Sequence, residues 1–316
     1  MSEVSVVIPS YARPLELARC LEAVATLTPR PLEIIVALRP SDEPSLRVVA
    51  ERSDRVRVVD VLSPGHLPPL AAALAACRGQ VIAVLDDDAV PRCGWLQRIH
   101  QAFADPGIVG VGGPYSESAR GAGRNPRLEG MTTALRMRLL RGRTLYRAFA
   151  ALPDPTRCER AGLHRPFPAD LVLGGNMAFR RWVLERVGID QNLNRGAAIN
   201  YEADLVLGAK RFGAVLFDPG LVVDHYPASR VGAPSRDAAE RYSYDYTFNL
   251  HYVAGKHFAT AESLLFEAYM GLVGQRPSPG QLRRLLAGSP SLRDPLAVPR
   301  GEGRRAGRAA REAGAR

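Results

Sequence analysis

Several residue types and patterns that mark whole classes of protein are scarce or missing. Four cysteines in 316 residues show no CxxC spacing, which disfavours zinc fingers, redox motifs and a disulfide scaffold and favours a reducing compartment. No uninterrupted apolar run approaches the ~18–20 residues of a membrane-spanning helix. The N-terminal MSEVSVVIPSYARP also lacks the basic and apolar regions of a signal peptide. We therefore expect a cytoplasmic protein without a membrane span.

Lysine is nearly absent, although positive charge is in excess. The formal net charge is +10, yet Lys210 and Lys256 are the only lysines beside 40 arginines. Residues 276–316 contain ten arginines and three acidic residues, a net +7, so most of the excess lies at the C-terminus. Pro, Gly, Ser and Arg dominate this segment without apolar periodicity, which predicts a largely disordered tail. It is either a solvated end without a partner or a tether to anionic lipid on the inner face of the membrane.

Short β-branched runs alternate with helical patterns in the first part of the chain. Apolar residues recur at helical spacing after Pro14, and an Ala-rich helix is expected from Leu70 to Cys77. The alternation predicts an α/β fold in which a mostly parallel sheet is flanked by helices. The strands are predicted at residues 4–8, 33–37, 56–59, 81–85, 108–113 (ending in a turn) and 214–217, with further helices near 182–187 and 205–212 and within 236–273.

Three consecutive carboxylates, Asp86, Asp87 and Asp88, follow the fourth apolar strand. Ligands of parallel sheets bind beyond the carboxyl ends of the strands, where the segment after Pro9 should also lie. Adjacent buried carboxylates raise one another's pKa, and a cation relieves the repulsion. Divalent cations such as Mg²⁺ are commonly held by one or two carboxylates with substrate phosphates. The spacing alone favours a metal–phosphate site and an acidic turn that caps the next helix equally.

Five segments in order resemble the family 2 glycosyltransferases of GT-A fold, a Rossmann-like fold of nucleotide-diphospho-sugar transferases. They are VSVVIPSYARP, EIIV, RGQVIAVLDDDAVP, LGGNMAFRR and YEADLVLGAKRFG, between residues 4 and 230. The later YDYTFNLHYVAGKHF resembles a helical segment that follows the catalytic domain in many bacterial members. The resemblance implies a GT-A catalytic domain over residues 1–230 and a helical extension packed on it over 231–275. Residues 276–316 would be the basic tail.

The resemblance also implies an activity and a set of site residues. A sugar would pass with inversion from a nucleotide-diphosphate donor to a hydroxyl of a glycan, lipid-linked or small-molecule acceptor, as in polysaccharide, cell-envelope or secondary-metabolite synthesis. Mn²⁺ or Mg²⁺ would be bound by Asp88 of the DXD-type motif, with His225 as a further ligand of the metal or the diphosphate. The donor would be held by Pro9, Ser10, Tyr11 and Arg13, with Asp86 or Asp87 facing the ribose.

Inverting transfer needs a carboxylate that accepts the proton of the acceptor hydroxyl. By the family pattern Glu202 takes that position, where Asp is usual, and Asp204 is the alternative base. Either acid could instead serve only to favour the positive end of a helix. Gly175 and Asn176 are expected to contact the acceptor, together with residues in 114–168. Leu38 stands where the family usually has a base-contacting Asp, which leaves the identity of the nucleotide open, with backbone atoms, Arg39 or Asp42 as substitutes.

Two other functions compete with sugar transfer. A metal-dependent nucleotidyltransferase uses a similar sheet, but it would normally show a Gly- and Arg-rich loop near the first strand, for which Arg13 alone is a poor match. A non-enzymatic basic protein that binds nucleic acid or membrane would explain the charge. No motif of a nucleic-acid-binding fold accompanies that charge, so we expect no specific nucleic-acid partner. The oligomeric state is not predicted.

Overall fold

The computed structural model describes residues 3–52, 56–117, 154–227, 236–272, 274, 278–286 and 295–314. Most of the segment in which acceptor contacts were expected lies outside these residues. The described part contains eleven strands: β1 (Val4–Pro9), β2 (Glu33–Leu38), β3 (Val56–Asp60), β4 (Val81–Leu85), β5 (Ala89–Pro91), β6 (Ile108–Gly112), β7 (Tyr115–Glu117), β8 (Phe167–Pro168), β9 (Asn176–Arg180), β10 (Ala214–Phe217) and β11 (Val223–His225).

Eight of these strands form one sheet in the order β3-β2-β1-β4-β9-β6-β10-β8. Neighbours from β3 to β4 run parallel, β6 and β10 are also parallel, and β9 is antiparallel to both of its neighbours. Every residue of β2 and β4 is buried, as the continuous apolar runs require in a sheet covered on both faces. The predicted mostly parallel α/β sheet is confirmed.

Helices connect and flank the strands. In chain order they are α1 (Pro14–Ala25), α2 (Glu43–Ala50), α3 (Leu67–Ala76), α4 (Trp95–Ala102), α5 (Pro155–Arg160), α6 (Arg181–Val187), α7 (Tyr201–Ala209), α8 (Arg236–His257), α9 (Thr260–Leu272), α10 (Gln281–Leu286) and α11 (Ala297–Gly314). The sequence patterns assigned no helix at α2, which is only eight residues long. Its N-terminus is capped by the buried side chain of Asp42, which accepts from the backbone N–H of Ser45.

The described chain divides into two compact units. The first comprises residues 1–189 and 205–229, and the second comprises residues 190–204 and 230–316. This division differs from the expected domain boundaries, because the segment 190–204 groups with the C-terminal helices instead of the sheet. Within the described residues, no helix is both long and apolar enough to cross a membrane.

The expectation of a disordered tail is wrong for residues 297–314, which form α11. Gly303 and Gly307 are buried in this helix, one turn apart on the same face. A Cβ at Gly303 would lie 2.3 Å from the carbonyl oxygen of Phe248 in α8, and one at Gly307 would lie 2.1 Å from that of Tyr252. The glycines that suggested an irregular tail therefore allow the backbones of α11 and α8 to approach closely.

Candidate active site

Two loops meet at the carboxyl ends of adjacent parallel strands. β1 pairs with β4, so the segment after Pro9 and the segment that begins at Asp86 leave the sheet side by side. A second, three-stranded sheet brings a distant residue to the same place. Its strand β5 follows the aspartates directly and pairs with β11, which sets Ala89 opposite His225. This pairing explains how a histidine more than 130 residues away in the sequence reaches the acidic motif.

Asp86, Asp88 and His225 form a compact cluster. Each offers one ligand atom, and these atoms all lie within 4.8 Å of one another. Nε2 of His225 lies 3.2 Å from Oδ1 of Asp88, which is 8% exposed. The family resemblance predicts that Asp88 and His225 bind the metal and that Asp86 or Asp87 faces the ribose. The structure places Asp86, and not Asp87, beside the other two.

The carboxylate of Asp86 is held by Tyr115. The phenol of Tyr115 donates to Oδ2 of Asp86 at 3.0 Å, and it accepts from the backbone N–H of Gly175 at 2.8 Å. The ring of Tyr115 also stacks on that of His225, with centroids 4.7 Å apart. No sequence pattern singled out Tyr115, since its partners are brought to it only by the folded sheets.

The electrostatics of the cluster fit a divalent cation. Burial and the neighbouring charges of Asp88 and Asp87 raise the pKa of Asp86 to about 6, against the opposing hydrogen bond from Tyr115. Burial likewise raises the pKa of Asp87. A bound cation would offset this accumulation of negative charge. Two carboxylates with one imidazole form a donor set that suits Mn²⁺ or Mg²⁺ when further ligands come from substrate phosphates.

Asp87 faces the loop after β1. It accepts from the hydroxyl of Ser10 at 2.7 Å and from Nη1 of Arg13 at 2.9 Å. The loop itself turns through Ala12, whose φ of 53° lies in the left-handed region. Oδ2 of Asp42 accepts from the backbone N–H of Ala12 at 2.6 Å and so fixes that turn. Asp87 and Asp42 thus shape the predicted donor loop from two sides.

Tyr11 and Arg39 form the exposed part of the same region. Tyr11 is 55% exposed, and the guanidinium of Arg39 lies 4.3 Å from the centroid of its ring. Leu38 is fully buried in β2. Of the two side chains expected as substitutes for the usual base-contacting Asp, Asp42 is engaged with Ala12 and the start of α2. Arg39 is the other side chain, and it lies beside the loop.

Asn176, which was expected to contact an acceptor, has its side chain buried among neighbouring elements. Asn176 is fully buried; its Oδ1 accepts from the indole of Trp95 at 2.8 Å, and its Nδ2 donates to the carbonyl oxygen of Leu221 at 2.7 Å. Its side chain joins β9 to α4 and to the segment before β11. Gly175 lies against Asp86, where a Cβ would fall 2.0 Å from the carboxylate carbon. The absence of a side chain at Gly175 therefore leaves space for the carboxylate of Asp86.

The two candidate bases lie in the first turn of α7 and differ in their surroundings. Asp204 is 2% exposed, and its carboxylate contacts Nζ of Lys256 at 2.9 Å and Nε2 of His257 at 2.7 Å. Glu202 is partly exposed. Asp204 is thus committed to a buried ion-pair network, whereas Glu202 keeps accessible surface.

Comparisons with known proteins agree with this fold. The sequence model described as "Glycosyl transferase family 2" matches residues 5–186, more than half of the chain. An uncharacterised glycosyltransferase of Nostoc sp. (strain PCC 7120) is 29% identical over 113 residues, which are 34% of this chain and 35% of that protein. The chain thus matches only about a third of the length of this curated relative.

The solved structures include a similar fold over nearly the whole chain. The mannosyltransferase PcManGT from Pyrobaculum calidifontis, solved in complex with GDP-Man and Mn²⁺, superposes with a TM-score of 0.56 at 18% identity. The superposition covers 99% of this chain and 86% of that one. The fold is the predicted GT-A fold, and the family match includes the strand and acidic motif that carry Asp86 and Asp88. The chain belongs to glycosyl transferase family 2.

Proposed function

We propose that the protein is a metal-dependent, inverting glycosyltransferase that moves a sugar from a nucleotide-diphosphate donor to a hydroxyl acceptor. The observation that carries the proposal is the cluster of Asp86, Asp88 and His225 beside a loop held by Asp87. In a family 2 member, this is a site for the diphosphate of the donor. The complex of PcManGT with GDP-Man and Mn²⁺ supports the same class of ligand.

Each residue of the cluster has a distinct task in this proposal. Asp86, Asp88 and His225 would hold the divalent metal, which would supply positive charge to stabilise the departing diphosphate. Tyr115 keeps Asp86 oriented through its hydrogen bond. Ser10 and Arg13 fix Asp87 and thereby the loop on which the exposed ring of Tyr11 can face the nucleotide.

Glu202 serves as the general base. The oxygen of the acceptor hydroxyl attacks the anomeric carbon, its proton passes to the carboxylate of Glu202, and the nucleoside diphosphate departs with the electrons of the broken bond. Asp204 is the less suitable base because Lys256 and His257 already occupy its carboxylate.

The direct test measures release of nucleoside diphosphate from a panel of UDP-, GDP- and TDP-sugars with Mn²⁺ and hydroxyl acceptors. Asp88→Asn should lose both transfer and Mn²⁺ binding, whereas Asp105→Asn, in an exposed turn, should retain them. Full activity of Asp88→Ala in the presence of a chelator would contradict the metal-dependent mechanism.

A second test separates catalysis by Glu202 from a helix-stabilising role. Glu202→Gln should abolish transfer and leave donor binding nearly intact. Glu262→Gln provides the matched control, because Glu262 is also an acidic residue in the first turn of a helix. Equal losses of donor binding and transfer in Glu202→Gln would show that Glu202 is structural.

We further propose that the C-terminal helices contact an anionic membrane that presents a lipid-linked acceptor. Arg305 and Arg308 are exposed on α11. Three leucines of α9 are also exposed, namely Leu264, Leu265 and Leu272. Exposed arginines and exposed leucines supply the two attractions that bind proteins to the surface of anionic membranes.

A further inference from the structure

One face of about the second half of α8, over residues 245–256, contacts the segment 190–204. This face consists of residues spaced three, four and seven apart, which lie on one side of a helix: Asp245, Phe248, Asn249, Tyr252 and Lys256. The segment 190–204 ends in the first turn of α7, where Glu202 lies. The contacts all fall within the second compact unit.

The two ends of the segment are joined through a single lysine. Nζ of Lys256 lies 2.7 Å from Oδ2 of Asp190 and 2.9 Å from the carboxylate of Asp204. The hydroxyl of Tyr252 also donates to Oδ2 of Asp190 at 2.7 Å. Coulombic attraction and hydrogen bonds from both aspartates outweigh burial and raise the pKa of Lys256. The lysine is therefore charged and holds both ends of the segment against α8.

The middle of the segment is held by a side-chain amide and by a stacked guanidinium. Nδ2 of Asn249 donates to the carbonyl oxygens of Leu193 at 3.1 Å and Ile199 at 3.0 Å. The guanidinium of Arg195 lies 3.7 Å from the ring centroid of Phe248. Asn249 is fully buried, so the two carbonyl groups would lose a buried donor if it were removed.

The backbone just before Glu202 is strained. Ala198 has a φ of 51° and Asn200 a φ of 76°, both in the left-handed region that residues other than glycine seldom adopt. Ala198 is fully buried and Asn200 is 7% exposed. Such conformations persist only where surrounding contacts enforce them, and they are concentrated at functional sites.

We infer that α8 is a positioning element for the general base: its buried face holds the segment 190–204 in a strained conformation that orients Glu202. The inference rests on the proposed function for the role of Glu202. The C-terminal extension is then needed for the chemical step itself. Asn249, Tyr252 and Lys256 are positioning residues, because they act on the segment and not on the substrates.

The test compares variants by hydrogen–deuterium exchange and by steady-state kinetics. Tyr252→Phe removes one hydroxyl that bonds Asp190 and Asn192, and Asn249→Ala removes the two bonds to the carbonyl groups. Tyr244→Phe is the matched control on the same helix, because its hydroxyl instead donates to Glu302 in α11 at 2.5 Å. Tyr252→Phe is the milder change and keeps the test valid where Asn249→Ala impairs folding.

We expect amide exchange in residues 191–203 to become about tenfold faster in both variants, with kcat lowered and the donor KM and Mn²⁺ affinity unchanged. Tyr244→Phe should match the wild type in that segment. Unchanged exchange and kcat in both variants would overturn the inference. Faster exchange with an unchanged kcat would overturn the link to the base. A wild-type protein that transfers no sugar would contradict the proposed function, while the exchange data would still decide whether α8 holds the segment.

Discussion

The phenol of Tyr115 donates a hydrogen bond to Asp86 at 3.0 Å. Because the same ring stacks on His225, one side chain supports two of the three residues in the acidic cluster. Partners of metal-ligating residues fix the orientation of those ligands, and their loss typically lowers metal affinity about 10- to 100-fold. Tyr115 is thus the support on which the proposed metal site depends most directly.

Tyr115→Phe should weaken Mn²⁺ binding by about tenfold, because Asp86 loses a donor while the stacked ring is kept. Isothermal titration calorimetry without donor gives the affinity. Tyr226→Phe is the control: Tyr226 adjoins His225 in sequence, and its ring is 40% exposed. Equal Mn²⁺ affinities of Tyr115→Phe and the wild type would show that Tyr115 does not support the metal site.

Gly175→Ala should abolish Mn²⁺ binding and leave the protein folded. The added methyl group would lie 2.0 Å from the carboxylate carbon of Asp86 and force that side chain away. Gly271→Ala in α9 is the matched control, because its Cβ would meet nothing within 4 Å. Binding by calorimetry and folding by circular dichroism distinguish displacement of the ligand from general unfolding. Normal Mn²⁺ affinity in Gly175→Ala would contradict the role of Asp86.

Gly303→Ala should lower the free energy of unfolding by ~1–3 kcal/mol, because the methyl group would overlap the backbone of α8. Gly301→Ala lies in the same helix and meets only the flexible end of Arg305 at 3.4 Å. It should leave stability unchanged or raise it by ~0.5–1 kcal/mol through helix propensity. Urea unfolding measures both. Equal stabilities of the two variants would show that close packing of α11 on α8 is unimportant.

The charge of Asp190 should stabilise the folded protein at neutral pH, and this contribution should be lost in strong acid. Burial alone would raise its pKa, but bonds from Lys256 and Tyr252 outweigh burial, so the pKa lies below its ordinary value of 3.8. A lowered pKa in the folded state gives stability that is complete above the unfolded pKa and is lost as pH falls through the folded one.

Asp190→Asn should therefore reduce the free energy of unfolding by about 2 kcal/mol at pH 7. The difference from the wild type should narrow once the pH falls below 3.8. Urea unfolding of Asp190→Asn and the wild type at pH 7 and at pH 3 measures this difference, with the exposed Asp105→Asn as the control. A difference that stays constant down to pH 3 would mean that the charge of Asp190 does not contribute.

Replacing both exposed arginines of α11, in Arg305→Gln/Arg308→Gln, should weaken binding to vesicles that contain phosphatidylglycerol. Each basic residue near an anionic surface contributes about 1 kcal/mol, so the double variant should bind about 30-fold more weakly. Cosedimentation with phosphatidylcholine vesicles controls for contact through the leucines alone. If the wild type binds neither vesicle, the tail has no membrane role.

The sheet could be predicted from sequence because its signals are local. The run before Asp86 is uniformly apolar and short, and such runs become buried strands whatever their distant partners are. The parallel pairing of β1 and β4 then follows from ordinary crossover connections. The proximity of the loop after β1 to the acidic motif could therefore be predicted from the same local patterns.

Tyr115, Asn249 and α11 could not be predicted in this way because their roles depend on distant contacts. Tyr115 meets Asp86 only after two sheets have formed. In the sequence, Asn249 is one polar residue of an aromatic-rich segment. Its hydrogen-bond partners are backbone carbonyl groups, which no sequence pattern identifies. Gly303 and Gly307 suggested disorder, since a glycine lowers helix propensity unless another helix packs against it. The assignment of Glu202 as the base stays a prediction.

The scarcity of lysine has a practical consequence for following the folded state. Both lysines are engaged with aspartates, Lys210 with Asp170 and Lys256 with Asp190 and Asp204. A lysine-specific endoprotease has only two bonds to cut in the whole chain, and the second lies inside the buried network that holds the segment before Glu202. Resistance of the bond after Lys256 to digestion therefore reports directly, on an ordinary gel, whether that segment is in place.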